Sequence, residues 1–208
     1  MKANCASSCY CQTFLPRLQE HLIGRLTGRT FDGEEESYAA HERSRLVITN
    51  NSIYLHKTVR VNYTTYDMRR DQDSINPRTH PDVMVLSRDD PHPYWYARVL
   101  AIFHVYALYT GEGARYAEPQ KFDVLWIRWF GRDVSASGGF DTRRLHLIGF
   151  VESSDKDAFG FLDPDQVIRA THLIPAFMHG RTTEALGPSA IRHTSEDDMD
   201  WRFYYVNQ

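Results

Sequence analysis

The residues best suited to chemistry lie in a polar stretch, RRDQDSINPRTHPD, at 69–82. Asp71, Asp73, His80 and Asp82 cluster there, and carboxylates at that density could offer oxygen ligands to Mg²⁺, which prefers hard oxygens and water. Asp82 followed by Glu118–Lys121 approaches the layout of a PD-(D/E)xK nuclease, but the Glu-to-Lys spacing has one residue too many. A solvated loop with turn-capping aspartates is the favoured interpretation, and a metal-dependent nuclease centred on Asp71, Asp73 and Asp82 is the alternative.

Two aromatic-rich segments offer a second kind of site, a cage for a cation. Trp95 lies between two tyrosines in one segment, and Trp126 and Trp129 lie in the other. Aromatic faces attract a desolvated ammonium group, so converging rings would suit a methylated lysine. Large aromatic side chains more often fill a core. We therefore expect packing for most of these rings and keep Trp95 and Trp126 as candidate binding residues.

Arginines near the ends of predicted strands form the third candidate. They are Arg98, Arg128, Arg132, Arg143 and Arg144. Their guanidinium groups suit phosphate pairing, which points to contact with DNA. Aspartates are interleaved with them and reduce the local positive potential.

Histidines and cysteines give weaker signals. The ten histidines are scattered without a metal-ligand spacing, and His104 and His172 are expected to be hydrogen-bonded core residues. Cys5, Cys9 and Cys11 are too few and too clustered for a disulfide framework. Whether they hold a metal stays open, and no cofactor, metal site or catalytic residue is predicted.

Chain length, net charge and hydrophobicity limit the classes of protein to which the chain can belong. The chain has 208 residues and a net charge of −3, which gives no global attraction to phosphate. No apolar run approaches the roughly 18 residues of a membrane helix, and no signal peptide is recognisable. We expect a nuclear or cytoplasmic protein without a membrane partner.

The hydrophobic pattern predicts the elements that would position these residues. Apolar spacing predicts a helix over 14–26 that ends at Gly28. Short strands are predicted over 45–50 and 52–58, joined by a turn at Asn50-Asn51. A longer, half-buried strand is predicted over 58–68 and a short buried one over 82–86. Two prolines favour an irregular linker over 69–81.

Two long strands, Tyr94–Tyr109 and Phe122–Gly131, form the centre of the predicted fold. The first is apolar on both faces, as expected of a strand covered on both sides. The prediction is a mainly β (β+α) fold, a curved sheet or partly open barrel with an N-terminal helix. We expect a disordered leader over 1–13 and a single domain over 14–182. A tail over 183–208 follows, and its aromatic strand is expected to pack back on the domain.

The order of several motifs resembles a known family. VRVNYTTYDMRRDQDSINPRTHPDVMVL, HPYWYARVLAIFH, FDVLWIRWFG, FGFLDPDQVIRATHLIPAF and DDMDWRFYYVN occur in this order. They resemble the C-terminal region of Plavaka and KDZ-type transposon-encoded proteins of basidiomycete fungi, over roughly 14–208. The resemblance implies a fungal mobile-element origin. Because family members continue beyond the final motif, it also implies a truncated copy.

A weaker resemblance links the two long strands to bromo-adjacent homology (BAH) modules of chromatin. Ala97-Arg98-Val99 with Ile102-Phe103, then Trp129-Phe130, follow the BAH order, whereas Gly131-Arg132-Asp133 departs from its usual continuation. Together the resemblances imply a non-catalytic interaction module that binds DNA or a histone or other chromatin protein. A degenerate fragment without independent function is a further alternative beside the nuclease.

Overall fold

The computed structural model describes residues 9–29, 37–87, 92–133, 138–139, 143–187, 189, 192 and 197–207. Strands account for 47% of the residues and helices for 16%, which confirms the predicted mainly β class with an N-terminal helix. The helices are α1 (Cys9–Thr27) and α2 (Ala40–Arg43). The strands are β1 (Leu46–Ile48), β2 (Tyr54–His56), β3 (Val59–Thr64), β4 (Arg70–Ile75), β5 (Asp82–Leu86), β6 (Tyr94–Tyr109), β7 (Gln120–Arg132), β8 (Leu147–Phe150), β9 (Phe159–Leu162), β10 (Val167–Ala170), β11 (His172–Pro175), β12 (Arg181–Thr182), β13 (Asp200–Trp201) and β14 (Tyr204–Asn207).

The chain divides into two compact units, and β6 and β7 run through both. One unit comprises 1–56 and 103–124, and the other comprises 57–102 and 125–208. The predicted leader, single domain and tail stay predictions. Helix α1 already begins at Cys9, five residues before the predicted start of the helix. None of the helices in the described part of the chain has the length and apolarity of a membrane span.

The first unit packs α1 and the strands β1 and β2 with the adjoining parts of β6 and β7. Apolar side chains of α1 at helical spacing are buried, namely Leu18, Leu22, Ile23 and Leu26. The helix ends where the sequence predicts, since Gly28 has a φ of 74° and its N–H donates to the Arg25 carbonyl. Strand β1 pairs antiparallel with β6, with Leu46 opposite Tyr109.

The second unit is built on an open sheet. Its strand order is β10-β5-β6-β7-β8-β14-β11, and β9 pairs with β7 beside β8. A hydrophobic cluster lies on one face of this sheet, formed by Tyr96, Phe130, Ile148, Leu173, Tyr204 and Val206. Because side chains alternate along a strand, Arg98 shares this face with Tyr96, and Arg128 shares it with Phe130. The fold therefore places two arginines beside an apolar core.

The predicted irregular linker over 69–81 is wrong in its first half. Residues Arg70–Ile75 form β4, which pairs with β3 from Thr64↔Arg70 to Val59↔Ile75. Strand β4 lacks the apolar alternation that identifies a strand in sequence, because most of its side chains are exposed. Cross-strand hydrogen bonds take the place of apolar pairs, with Gln72 donating to Asn62 at 2.8 Å.

The predicted hairpin at Asn50-Asn51 is correct in its turn and wrong in its pairing. Both asparagines have positive φ, 56° and 47°. The flanking strands β1 and β2 each pair with β6. The long strand therefore supplies the hydrogen-bonding edge, which a local turn pattern does not reveal.

Candidate anion-binding pocket

A buried ion network centres on Asp200, the first residue of β13. Arg128 of β7 donates from Nη1 to the Asp200 Oδ2 at 2.9 Å. Arg192 donates from Nη1 and Nη2 to the two oxygens of the same carboxylate, at 2.9 and 3.0 Å. The side chains of Arg128, Arg192 and Asp200 are 3%, 7% and 8% exposed. One carboxylate therefore compensates two buried guanidinium groups.

A second ion pair lies on the neighbouring strands of the same unit. Arg98 of β6 donates from Nε and Nη2 to the Asp82 carboxylate of β5, at 2.7 and 3.0 Å. The two residues are directly paired in the antiparallel register of β5 and β6. Burial disfavours the charge of Arg98, but the fork of bonds to Asp82 outweighs it and raises the pKa of Arg98. A hydrogen bond with the Tyr204 side chain raises the pKa of Arg98 further.

Aromatic rings surround both guanidinium groups. The Arg128 guanidinium lies 3.7 Å from the centre of the Phe150 ring. The Arg98 guanidinium lies 5.1 Å from the same ring and 5.4 Å from that of Tyr204. Phe150 also lies parallel to Phe130 at 4.2 Å, which holds its ring in place. Ring faces stabilise the cations where water is excluded.

Arg128 is under-satisfied within this network. Its Nε and Nη2 are buried and have no hydrogen-bond partner among the described residues. Burial lowers the pKa of Arg128 against the attraction of Asp200, and Arg192 and Arg98 lower it further. Arginine nevertheless stays protonated in proteins. Two charged N–H donors are therefore withdrawn from water without an acceptor, which is costly in free energy.

Arg128 is also a lining residue of a pocket of about 320 Å³. Its polar lining consists of Arg78, Arg98, Arg128, Arg192 and Asp200, and Phe150 contributes an apolar wall. Arg98, Arg128 and Arg192 carry three positive charges, which the carboxylates of Asp82 and Asp200 only partly balance. Arg78 adds a fourth positive charge and is exposed at the surface. The pocket is positive, and its volume is at the lower end of the usual range for ligand sites, about 300–1,000 Å³.

The candidate binding residues of the sequence do not all lie together. Arg98 and Arg128 share the pocket, whereas Arg132, Arg143 and Arg144 are exposed and do not line it. Residues 134–137 and 140–142, between Arg132 and Arg143, lie outside the described residues. Arg143 adopts a φ of 51°.

The tryptophans also separate. Trp95 and Trp129 meet edge to face at 6.0 Å, and Trp126 lies 6.4 Å from Phe159. Because Trp126 and Trp129 are three residues apart on β7, their side chains point to opposite faces of the sheet. These two rings cannot line one cage.

The aspartates of the nuclease alternative have separate partners. Asp71 accepts a hydrogen bond from Tyr63, Asp73 pairs with Arg169 at 3.4 Å, and Asp82 is held by Arg98. Asp71, Asp73 and Asp82 do not form a group of converging ligand atoms in the part of the chain that the structure describes. The geometry gives that alternative no support.

Sequence reasoning missed Arg192 and Asp200. Both fall in a polar segment that was expected to be tail, and neither has a spacing that indicates a site. The histidine expectation is wrong for His172, which is exposed, and incomplete for His104, which is half-buried and contacts His56 at 2.7 Å. The side chains of Cys5, Cys9 and Cys11 lie outside the described residues.

Family relationships give no independent guide to the site. Comparisons with family models, with curated proteins and with solved structures found no match to this chain.

Proposed function

We propose that the protein is a non-catalytic binding module that holds an acidic or phosphorylated side chain of a protein partner in the arginine pocket. The carrying observation is Arg128, which lines a positive pocket and whose buried Nε and Nη2 have no hydrogen-bond partner in the described part of the chain. A carboxylate or phosphate oxygen would supply those acceptors in the paired geometry that a guanidinium group favours.

The chemistry of the lining favours binding over catalysis. Its charged groups are guanidiniums and a carboxylate that is already bonded to two of them. A guanidinium stays protonated near neutral pH, so it suits holding an anion better than acid–base chemistry. Phe150 and Asp200 fix the position of Arg128, which gives a preorganised site.

The dimensions of the site favour a side chain over a DNA backbone. Arg128 and Arg192 are less than one-tenth exposed, whereas phosphates on a duplex need cations that reach the protein surface. A single projecting carboxylate or phosphate fits a pocket of about 320 Å³. The net charge of −3 also opposes general attraction to nucleic acid.

The identity of the partner and the origin of the protein rest on the sequence resemblances alone. They support a chromatin protein as partner, a nuclear location and a fungal mobile-element origin as parts of the proposal. A partly open BAH-like barrel belongs to the same proposal, with the open sheet of the second unit as its structural support.

The test is a titration of the full chain with inorganic phosphate and with acetate, followed through arginine side-chain N–H signals in NMR. We expect saturable shifts of the Arg128 signals with either anion. Arg128→Met should abolish binding. Arg169→Met is the matched control, since Arg169 also pairs with an aspartate and contacts a ring but does not line the pocket.

Peptides and DNA then distinguish the partner classes. Peptides that differ only by serine, phosphoserine or glutamate at one position should bind more tightly in the charged forms, and Arg128→Met should remove that difference. Unshifted Arg128 signals throughout the anion titration would overturn the proposal. DNA would be favoured as the partner by binding of duplex DNA that weakens steeply with salt. That binding would have to survive Arg128→Met and be lost when Arg132, Arg143 and Arg144 are substituted.

A further inference from the structure

We propose that His56, His104 and Asp123 form a binding site for a divalent transition-metal ion of the Zn²⁺ type. Each offers one ligand atom, and the three atoms lie within 4.8 Å of one another. All three residues belong to the first unit and are distinct from the arginine pocket. The inference is independent of the proposed function.

Neighbouring strands position the three side chains. His104 lies in the middle of β6, His56 ends β2, which pairs with β6, and Asp123 lies on β7, the other neighbour of β6. The Asp123 carbonyl accepts a hydrogen bond of 2.7 Å from Arg25 of α1, which fixes the backbone at that position. The ligand set therefore rests on strand pairing and is not carried by a mobile loop.

The two imidazole rings meet through their nitrogens. His56 Nε2 lies 2.7 Å from His104 Nδ1, the ring centres are 4.9 Å apart and the planes differ by 23°. The nitrogen contact and the two ring radii account for nearly the whole centre-to-centre distance, so the two nitrogens face each other almost head-on. Between two neutral rings, only one nitrogen can donate at such a contact.

A tetrahedral zinc ion fits after the His56 side chain moves. With Zn–N distances of about 2.0–2.1 Å, two ligand nitrogens lie about 3.3 Å apart. The nitrogens must therefore separate by about 0.6 Å, and each ring must tilt by roughly 35° so that both lone pairs point at the ion. His56 is exposed and has room to move. Two imidazoles and one carboxylate leave a fourth position for water, and this set suits zinc better than magnesium or calcium.

The aromatic surroundings orient the half-buried ligand. The Tyr54 ring stacks on His104 with centres 4.8 Å apart and planes 11° apart. Tyr106 meets the same imidazole edge-on at 5.5 Å. Contacts of this kind restrict the rotation of the ligand ring, as supporting shells do around metal sites.

Lys121 is the group that a metal must displace. Its Nζ lies 2.9 and 3.0 Å from the two Asp123 oxygens, and both side chains are about half exposed. An exposed pair of this kind contributes little free energy, so its displacement opposes metal binding only weakly. Lys121→Met should therefore tighten binding of the ion.

The test uses metal-free full-length protein in which Cys5, Cys9 and Cys11 are replaced by serine, because thiolates bind zinc on their own. Calorimetry should show saturable binding of one Zn²⁺ per chain. Co²⁺ should give a visible spectrum of nitrogen and oxygen ligation, without thiolate charge transfer.

Variants at exposed ligands identify the site. His56→Gln and Asp123→Asn should each weaken Zn²⁺ binding by at least about tenfold, since one of three protein ligands is lost. His172→Gln replaces an exposed histidine elsewhere and should leave binding unchanged. Circular dichroism checks that each variant is folded. The proposal would be overturned if folded cysteine-free protein did not bind zinc. It would also be overturned if neither His56→Gln nor Asp123→Asn weakened zinc binding.

Discussion

Arg128 donates a 2.9 Å hydrogen bond to Asp200, a residue 72 positions later in the chain, and both side chains are almost completely buried. Asp200 also holds Arg192, so the two arginines depend on a single carboxylate. This asymmetry predicts unequal effects of substitution. Asp200→Asn leaves two buried cations without their counter-ion and should destabilise the protein by about 3–5 kcal/mol.

Arg128→Met should cost clearly less, because Asp200 keeps its two bonds to Arg192 and two unpartnered N–H groups are removed from the interior. Urea unfolding of both variants measures the difference. Equal losses of stability would contradict a network centred on Asp200.

Inorganic phosphate should stabilise the protein against heat at constant ionic strength. A ligand that binds only the native state adds about 1.4 kcal/mol at roughly ten times its Kd. We expect the melting temperature to rise with phosphate in the parent protein and in Arg169→Met, but not in Arg128→Met. A similar rise in all three proteins would indicate a general salt effect.

Acid should weaken the first unit through His21 of α1. Burial lowers the pKa of His21 from 6.5 to about 3, and the nearby Arg25 adds to the effect. Between these values the unfolded chain binds a proton that the native protein does not, so stability falls as pH drops through this window. For one proton the slope is about 1.4 kcal/mol per pH unit.

His21→Gln should flatten this slope, whereas His172→Gln, at an exposed position, should not. Chemical denaturation at a series of pH values between 7 and 3, the range in which His21 of the unfolded chain takes up a proton, tests the prediction. Parallel curves for the parent protein and His21→Gln would refute it.

Gly149→Ala should destabilise the second unit at β8. A Cβ at Gly149 of β8 would lie 2.8 Å from the Arg202 carbonyl oxygen, a backbone atom that cannot rotate away. We expect a loss of about 1–3 kcal/mol, typical of an overpacked site. Gly187→Ala is the control, because no described atom lies within 4 Å of its added Cβ. Thermal unfolding compares the two, and equal melting temperatures would contradict the close approach.

Strands with a local hydrophobic signature could be predicted from sequence. Tyr94–Tyr109 and Asp82–Leu86 begin and end where the pattern predicts, because continuous apolar residues fit a strand covered on both sides. Strand β4 could not be predicted, because its polar side chains carry no alternation and its partner β3 alone makes it a strand.

Half of the pocket could also be predicted. Arg98 and Arg128 are identifiable as charged residues within apolar strands. A charged residue within an apolar strand does not show which carboxylate balances its charge. Nothing in the local pattern around Asp200 or Arg192 relates them to β7, which ends at Arg132.

By itself, the sequence determined the mainly β class, the central strand pair and the helix that ends at Gly28, because these depend on side-chain periodicity and turn chemistry within short segments. Tertiary structure decided which charges meet. The pairing of β5 with β6 unites Asp82 and Arg98, and that of β2 with β6 brings His56 to His104. Charged and ligating groups act over only a few ångströms, so their partners are set by strand register and folding, and not by distance along the chain.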